Sequence, residues 1–163
     1  LILFFIIYLF FCSFFILQTT AQEKSFTAFY KANKDQAEIS LNVPGFIAKF
    51  FASEASENAD DFEVFLKRAR NYKILVFDKH TSAIKKDFNR FVKNNHLKSL
   101  VRIKDGKNRV AVYYSESNDY IRELVISTQS NSNELVLLGL KTKLTKEELA
   151  DMVKSTQNSI AAN

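Results

Sequence analysis

The chain opens with an apolar stretch that ends abruptly. Leu1–Leu17 carries no charged side chain and holds six of the sixteen phenylalanines, and a polar run follows it. A secretory hydrophobic region usually spans about 7–15 residues and a membrane-spanning helix about 20, so this length lies between the two. Thr19 and Ala21 are small residues three and one positions before Gln22. The pattern therefore predicts a signal peptide over residues 1–21, with an uncleaved membrane anchor as the alternative.

The only cysteine, Cys12, lies inside this leader. Phe10 and Phe11 directly precede it, whereas a lipoprotein-processing peptidase favours small residues there, so a lipid anchor at Cys12 is not expected. The rest of the chain has no cysteine, which excludes disulfides, thiolate nucleophiles and cysteine-ligated zinc from it. No cofactor is predicted.

After the leader, the apolar pattern changes from a continuous run to a periodic one. Apolar residues recur at helical spacing over residues 22–36, 45–55 and 60–69, which predicts three helices. Residues 38–43 alternate apolar with polar side chains and predict a half-buried strand before the second of these helices. The short apolar run at residues 72–78 predicts a strand in the interior of a sheet.

A fourth helix is predicted over residues 81–94, and from there the period of the pattern is two. Four strands joined by short polar loops, the first of them the Asp105-Gly106 turn, predict an antiparallel meander that ends at Lys141. Thr145 followed three residues later by Glu148 is a capping box, which predicts a last helix.

Together these elements predict an α+β fold. We expect one mixed, mostly antiparallel sheet of about six strands, with a C-terminal four-strand meander and with helices packed on one face. Residues 22–157 are predicted to form a single domain, and residues 158–163 a frayed tail. A domain of this length can bury a sizeable core without the help of disulfides.

The predicted domain is moderately basic. It holds all 23 basic and all 18 acidic residues, and therefore the whole formal charge of +5. The basic residues are spread along predicted helices and strands, which is typical of a solvated surface. We therefore predict no nucleic-acid partner and only a weak, non-specific attraction to anionic envelope surfaces. Membrane contact is predicted only through Leu1–Leu17, if the leader stays uncleaved.

Four residues are weak candidates for a surface site. Asp78 and His80 follow the predicted interior strand and could form an acid–base pair, although a loop histidine is more often simply solvated. Tyr113 and Tyr120 flank a turn of the meander, where an exposed ring can mark a binding surface and where cross-strand packing is the alternative. Tyr113 and Tyr114 point to opposite faces of their strand, so one of them is expected outside. The sequence predicts no catalytic, cofactor-binding or metal site.

Four patterns of strand and turn occur together along the chain: Ile39–Phe46 (ISLNVPGF), Ile74–Asp78 (ILVFD), the hairpin at Asp105-Gly106, and Ile121–Thr128 leading into Glu134–Leu140. In this combination they resemble a Bacteroidota family known only as domain of unknown function 4252. The resemblance implies a small exported or lipid-anchored envelope protein, and it supplies no catalytic residues. The chain departs from the family at Lys141–Leu144, where members often carry a Gly-Asp-like turn, and it has no lipobox.

The leading hypothesis is a non-catalytic protein exported to the periplasm or cell envelope. It would bind another envelope macromolecule, such as a partner protein, or sense the state of the envelope. One alternative is a small envelope hydrolase whose site forms only in three dimensions, with Asp78 and His80 among its residues. Another is a structural subunit that packs into an envelope assembly through an uncovered sheet face.

Overall fold

The computed structural model describes residues 25–45, 68–151 and 154. Their regular elements are helix α1 (Phe26–Asn33), strands β1 (Ile39–Val43) and β2 (Arg70–Phe77), helix α2 (Thr81–Asn94), and strands β3 (Lys98–Asp105), β4 (Asn108–Ser117), β5 (Tyr120–Gln129) and β6 (Leu135–Thr145). A further helix, the C-terminal helix, begins at Lys146. The leader, the tail and almost all of the predicted helices at 45–55 and 60–69 lie outside the described residues. None of the described helices is long and apolar enough to cross a membrane.

The six strands form one sheet in the order β1-β2-β6-β5-β4-β3, and every neighbouring pair is antiparallel. The predicted α+β class, the number of strands and the C-terminal meander are confirmed. The sheet is antiparallel throughout, however, rather than mixed. The reason is the return of β6 beside β2, which gives β2 an antiparallel neighbour on each side.

The last strand is longer than predicted. The predicted meander ends at Lys141, whereas β6 continues to Thr145. Leu140, Thr142 and Leu144 are buried while Lys141 is exposed, so the alternation of a strand persists to its end. The segment that departs from the family pattern is therefore the end of a strand, and it forms one wall of the site described below.

Helices α1 and α2 cover one face of the sheet, which we call the first face. The apolar stripes predicted for both helices are confirmed, and they meet in one aromatic core. The ring of Phe29 lies 5.8 Å from that of Phe88 and 5.3 Å from that of Phe91. The buried residues of this core are Phe26, Phe29, Tyr30, Leu75, Phe77, Ile84, Phe88, Phe91, Tyr113, Val125, Leu135 and Leu137.

Within this core, Phe26 packs directly on the backbone of β6 at Gly139. A Cβ atom added to Gly139 would lie 2.0 Å from Cδ1 and 2.4 Å from Cγ of Phe26. A side chain at position 139 would therefore overlap the ring, and glycine is what allows α1 to approach the sheet this closely.

The second face carries a separate apolar cluster, which the C-terminal helix covers. Leu149 of that helix packs with Leu140 and Leu144 of β6, and Ala69 lies in the same cluster. The prediction that helices pack on one face only is therefore corrected. Because side chains alternate along β6, Leu140 and Leu144 point away from α1 and are buried by a helix on the opposite side.

The two edge strands leave apolar side chains exposed on this second face. Ile39 and Leu41 of β1 are each 47% exposed, and Ile103 of β3 is 53% exposed. An edge strand has a neighbour on one side only, so its side chains are covered less completely than those of the interior strands.

Candidate functional site

The structure does not join Asp78 and His80 into an acid–base pair. Both are exposed in the loop between β2 and α2, and Asp78 forms an ion pair of 4.0 Å with Lys79. His80 precedes α2 with a left-handed backbone, and its carbonyl oxygen accepts hydrogen bonds from the N–H groups of Ala83 and Ile84. No hydrogen bond joins the Asp78 carboxylate to the His80 imidazole within the described residues, and neither residue lines any of the clefts described below.

The two candidate tyrosines have different surroundings. Tyr113 is only 8% exposed, with its ring 5.9 Å from that of Phe88, and Tyr114 is half-buried on the second face. Neither is an exposed aromatic, contrary to the expectation that one of them lies outside, because Phe88 of α2 packs on Tyr113 and the apolar cluster of the second face packs on Tyr114. Tyr120 is half-buried and lines the largest of the clefts, which we call the basic cleft.

The basic cleft lies where the ends of β2, β5 and β6 meet, and it has a volume of about 770 Å³. Five basic side chains line it, together with three neutral polar residues and one acid. The basic residues are Arg68, Arg70, Arg122, Lys141 and Lys143; the others are Tyr120, Thr142, Thr145 and Glu148. A cleft of this composition attracts anions.

Strand register places two of these cations, Arg70 and Lys141, side by side. Arg70 of β2 lies opposite Lys141 of β6, and Lys141 in turn lies opposite Glu123 of β5. Residues directly opposite each other in neighbouring antiparallel strands point to the same face, so these three side chains form one row. Glu123 is the acidic member of the row, and it is only 5% exposed.

Glu123 is engaged with α1 rather than with the basic cleft. Both of its carboxylate oxygens accept the backbone N–H of Phe26, at 3.1 and 3.0 Å. Burial raises the pKa of the Glu123 carboxyl, while the hydrogen bond from Phe26 and the charges of Lys141 and Lys73 act in the opposite direction. The carboxylate thereby holds the N-terminus of α1 on the sheet.

The ring of Tyr120 positions two further cations. The guanidinium carbon of Arg122 lies 5.4 Å and the Nζ atom of Lys143 lies 5.1 Å from the ring centre, within the range of cation–π attraction. The Nε–H of Arg122 also donates to the carbonyl oxygen of Ser117, at 3.2 Å. Both cations are thus held at the cleft by an uncharged group.

The single acid of the cleft is already engaged. Glu148 accepts the backbone N–H of Thr145 at 2.8 Å, the backbone N–H of Glu148 donates to Thr145 Oγ1 at 3.1 Å, and Arg68 pairs with the Glu148 carboxylate. The predicted capping box is therefore confirmed. The Thr145 N–H and then Arg68 lower the pKa of the Glu148 carboxyl, which stays ionised at neutral pH.

Four of the cations that converge on the cleft form no salt bridge within the part of the chain that the structure describes. They are Arg70, Arg122, Lys141 and Lys143. Like charges that share a cleft repel one another, and a bound anion would remove that repulsion.

Thr142 lies between Lys141 and Lys143 in β6 but does not share their face. Side chains alternate along the strand, so Thr142 is only 8% exposed whereas both lysines are exposed. Its Oγ1 atom is buried with no hydrogen-bond partner in the described structure, and it does not face the cations of the cleft.

Two further clefts are weaker candidates. One, of about 530 Å³, lies between α2 and the β3–β4 hairpin and is lined by Lys85, Arg102, Lys104 and Arg109 among apolar residues. Burial, and then the charge of Arg109, lower the pKa of Lys85. The other, of about 420 Å³, follows α1 and α2. No unpaired buried polar atom lines either of them in the described structure. Nowhere among the described residues do three or more potential metal ligands (His, Cys, Asp or Glu) form a group.

The sequence named Tyr120 as a candidate surface residue but did not indicate the cations around it. Lys141 and Lys143 alternate with Thr142 and Leu144, and this alternation could have predicted that β6 continues beyond Lys141. The contribution of Arg70 carried no local signal, because β2 and β6 are adjacent only in the folded sheet.

Comparison with known proteins identifies the chain at the level of a family. A family model described as Domain of unknown function (DUF4252) matches residues 30–152, about three quarters of the chain. The matched range contains every residue that lines the basic cleft. The chain matches no curated protein.

Proposed function

Given that the chain belongs to the DUF4252 family of domains of unknown function, we propose that it is an exported, non-catalytic binding protein of the cell envelope. It binds an anionic ligand in the basic cleft and does not transform it. The observation that carries the proposal is the convergence on one cleft of four cations that form no salt bridge among the described residues: Arg70, Arg122, Lys141 and Lys143.

The placement of these cations indicates a binding site rather than a chance cluster of charges. Arg70 and Lys141 are held by backbone register, and Arg122 and Lys143 are held on one aromatic ring. Four cations placed in this way stay close together, although separation would lower their mutual repulsion. The arrangement is favourable once an anion occupies the cleft. Because the cations are largely exposed, the attraction is expected to weaken as salt is added.

Binding can be tested by titrating the purified protein with sodium sulfate and sodium phosphate and following backbone amide shifts by NMR. We expect saturable shifts for at least one anion, centred on residues 141–145 and 120–122. The variant Arg70→Gln/Lys141→Gln/Lys143→Gln should lose them, because three of the four unpaired charges are gone.

The matched control removes the same number of charges elsewhere. Lys34, Lys86 and Lys107 are exposed and do not line the basic cleft, so Lys34→Gln/Lys86→Gln/Lys107→Gln should bind as the wild type does. If the two triple variants bind equally well, the interaction follows net charge alone and the proposed site is wrong. If neither anion gives a saturable shift with the wild type, the proposal fails altogether.

Export to the envelope is supported by the apolar leader Leu1–Leu17 and by the small residues Thr19 and Ala21. We expect the exported protein to begin at Gln22, which mass spectrometry of envelope fractions would detect. Ala21→Phe should block the cut, because the peptidase accepts only small residues there, and Gln22→Asn should not. Recovery of the precursor intact and soluble in the cytosol would contradict export.

A further inference from the structure

We propose that the ligand of the basic cleft is a phosphate monoester group in its doubly charged form, a proposal that rests on the function proposed above. Arg70 and Lys141 bind it from one sheet row, and Arg122 and Lys143 bind it from the ring of Tyr120.

The number of unpaired charges favours a dianion. A carboxylate carries one negative charge and is satisfied by a single guanidinium fork, which would leave the remaining cations of the cleft uncompensated. A phosphate monoester carries a charge of about −1.5 to −2 at neutral pH and presents three strong acceptor oxygens. It can therefore engage two arginines and two lysines at once.

The mixture of donors also fits a phosphate. The planar forks of Arg70 and Arg122 can each donate two parallel hydrogen bonds to phosphate oxygens, while Lys141 and Lys143 act as compact point charges.

The pH dependence of ligand charge distinguishes a site for phosphate monoesters from a site that binds any dianion. Sulfate remains doubly charged between about pH 5 and 7.5, whereas a phosphate monoester loses its second charge below its pKa of about 6. Among the described residues, the charged groups facing the cleft are its five cations and Glu148, with Glu123 behind them, and no histidine of that part of the chain lines it. Any titration of these protein groups would affect both ligands, so sulfate serves as the internal control.

The test is calorimetric titration of the purified protein with methyl phosphate and with sulfate at about pH 5 and 7.5, at constant ionic strength. We expect the affinity for methyl phosphate to rise about tenfold between the lower and the higher pH, following the fraction of dianion. The affinity for sulfate should change less than about twofold. Saturable binding of sulfate together with pH-independent binding of methyl phosphate would overturn the phosphate assignment and leave the anion site standing. No binding of either ligand would remove both proposals.

A phosphate monoester can belong to a soluble molecule or to a lipid headgroup, and vesicles distinguish the two. Vesicles containing phosphatidic acid present a monoester, and vesicles containing phosphatidylglycerol, matched in surface charge, present a diester. Stronger co-sedimentation with phosphatidic acid, lost in Arg70→Gln/Lys141→Gln/Lys143→Gln, would identify the lipid source. Binding of methyl phosphate without preference between the vesicles would identify a soluble phosphomonoester.

Discussion

Gly139→Ala is expected to lower the free energy of unfolding by about 3 kcal/mol, at the upper end of the usual cost of overpacking a core. The added Cβ would lie 2.0 Å from the ring of Phe26. That ring is 1% exposed and stacks on Phe29 at 5.8 Å, with Phe91 at 6.1 Å, so it has no free space to enter. Denaturant unfolding monitored by circular dichroism would measure the loss.

The steric origin of this effect can be isolated with two companion variants. Gly106 lies at the tip of the β3–β4 turn with a positive φ of 57° and has no atom within 4 Å of an added Cβ. Gly106→Ala should therefore cost only the backbone strain, about 1 kcal/mol. Adding Phe26→Leu to Gly139→Ala should restore part of the stability, because a smaller side chain makes room for the Cβ. Strictly additive losses in that double variant would contradict a direct clash.

Glu123→Ala is expected to lower the free energy of unfolding by about 1–3 kcal/mol, because it leaves the buried N–H of Phe26 without an acceptor. Glu123→Gln keeps an oxygen in the same place and removes only the charge. Since burial raises the pKa of this carboxyl, the charged form is disfavoured in the folded protein, and we expect Glu123→Gln to be at least as stable as the wild type at neutral pH.

The pH dependence of this pair follows from the direction of the shift. The folded protein holds the Glu123 proton more tightly than the unfolded chain, whose glutamate titrates near the ordinary pKa of 4.5. The wild type should therefore gain stability relative to Glu123→Gln as the pH falls from above the folded pKa toward 4.5, and the difference should level off below that value. Chemical unfolding of both proteins across this range would measure the change.

The opposite outcome would have a specific meaning. If Glu123→Gln were as unstable as Glu123→Ala at every pH, the charge rather than the acceptor oxygen would be holding α1. In that case the nearby Lys73 and Lys141 would act as ion-pair partners of the carboxylate. Lys141 would then be only partly available to a ligand in the basic cleft.

Lys141 links the two parts of the molecule that these experiments address. On one side it lies opposite Glu123, which holds the start of α1, and on the other it lies opposite Arg70 in the basic cleft. A dianion that attracts Lys141 would lessen its favourable effect on the Glu123 carboxylate. Ligand binding should therefore be compared in the wild type and in Glu123→Gln before any change in α1 is attributed to the ligand.

The sequence by itself determined the local elements of this protein. Phe26, Phe29 and Tyr30 are spaced for one helical face, the strand at 38–43 alternates apolar with polar residues, and Thr145 with Glu148 forms a capping box. Such features depend on residues a few positions apart, whose spacing fixes which side chains share a face. The α+β class followed from the order of these elements.

Only the tertiary structure decided which strands are neighbours, and with that the candidate site. Arg70 and Lys141 are 71 positions apart, and they meet because β6 returns beside β2 after the meander. The acceptor for the first amide of α1 is likewise 97 positions away, at Glu123. Pairing between distant strands depends on the burial of whole faces, so no local pattern could reveal that four cations of this chain converge on one cleft.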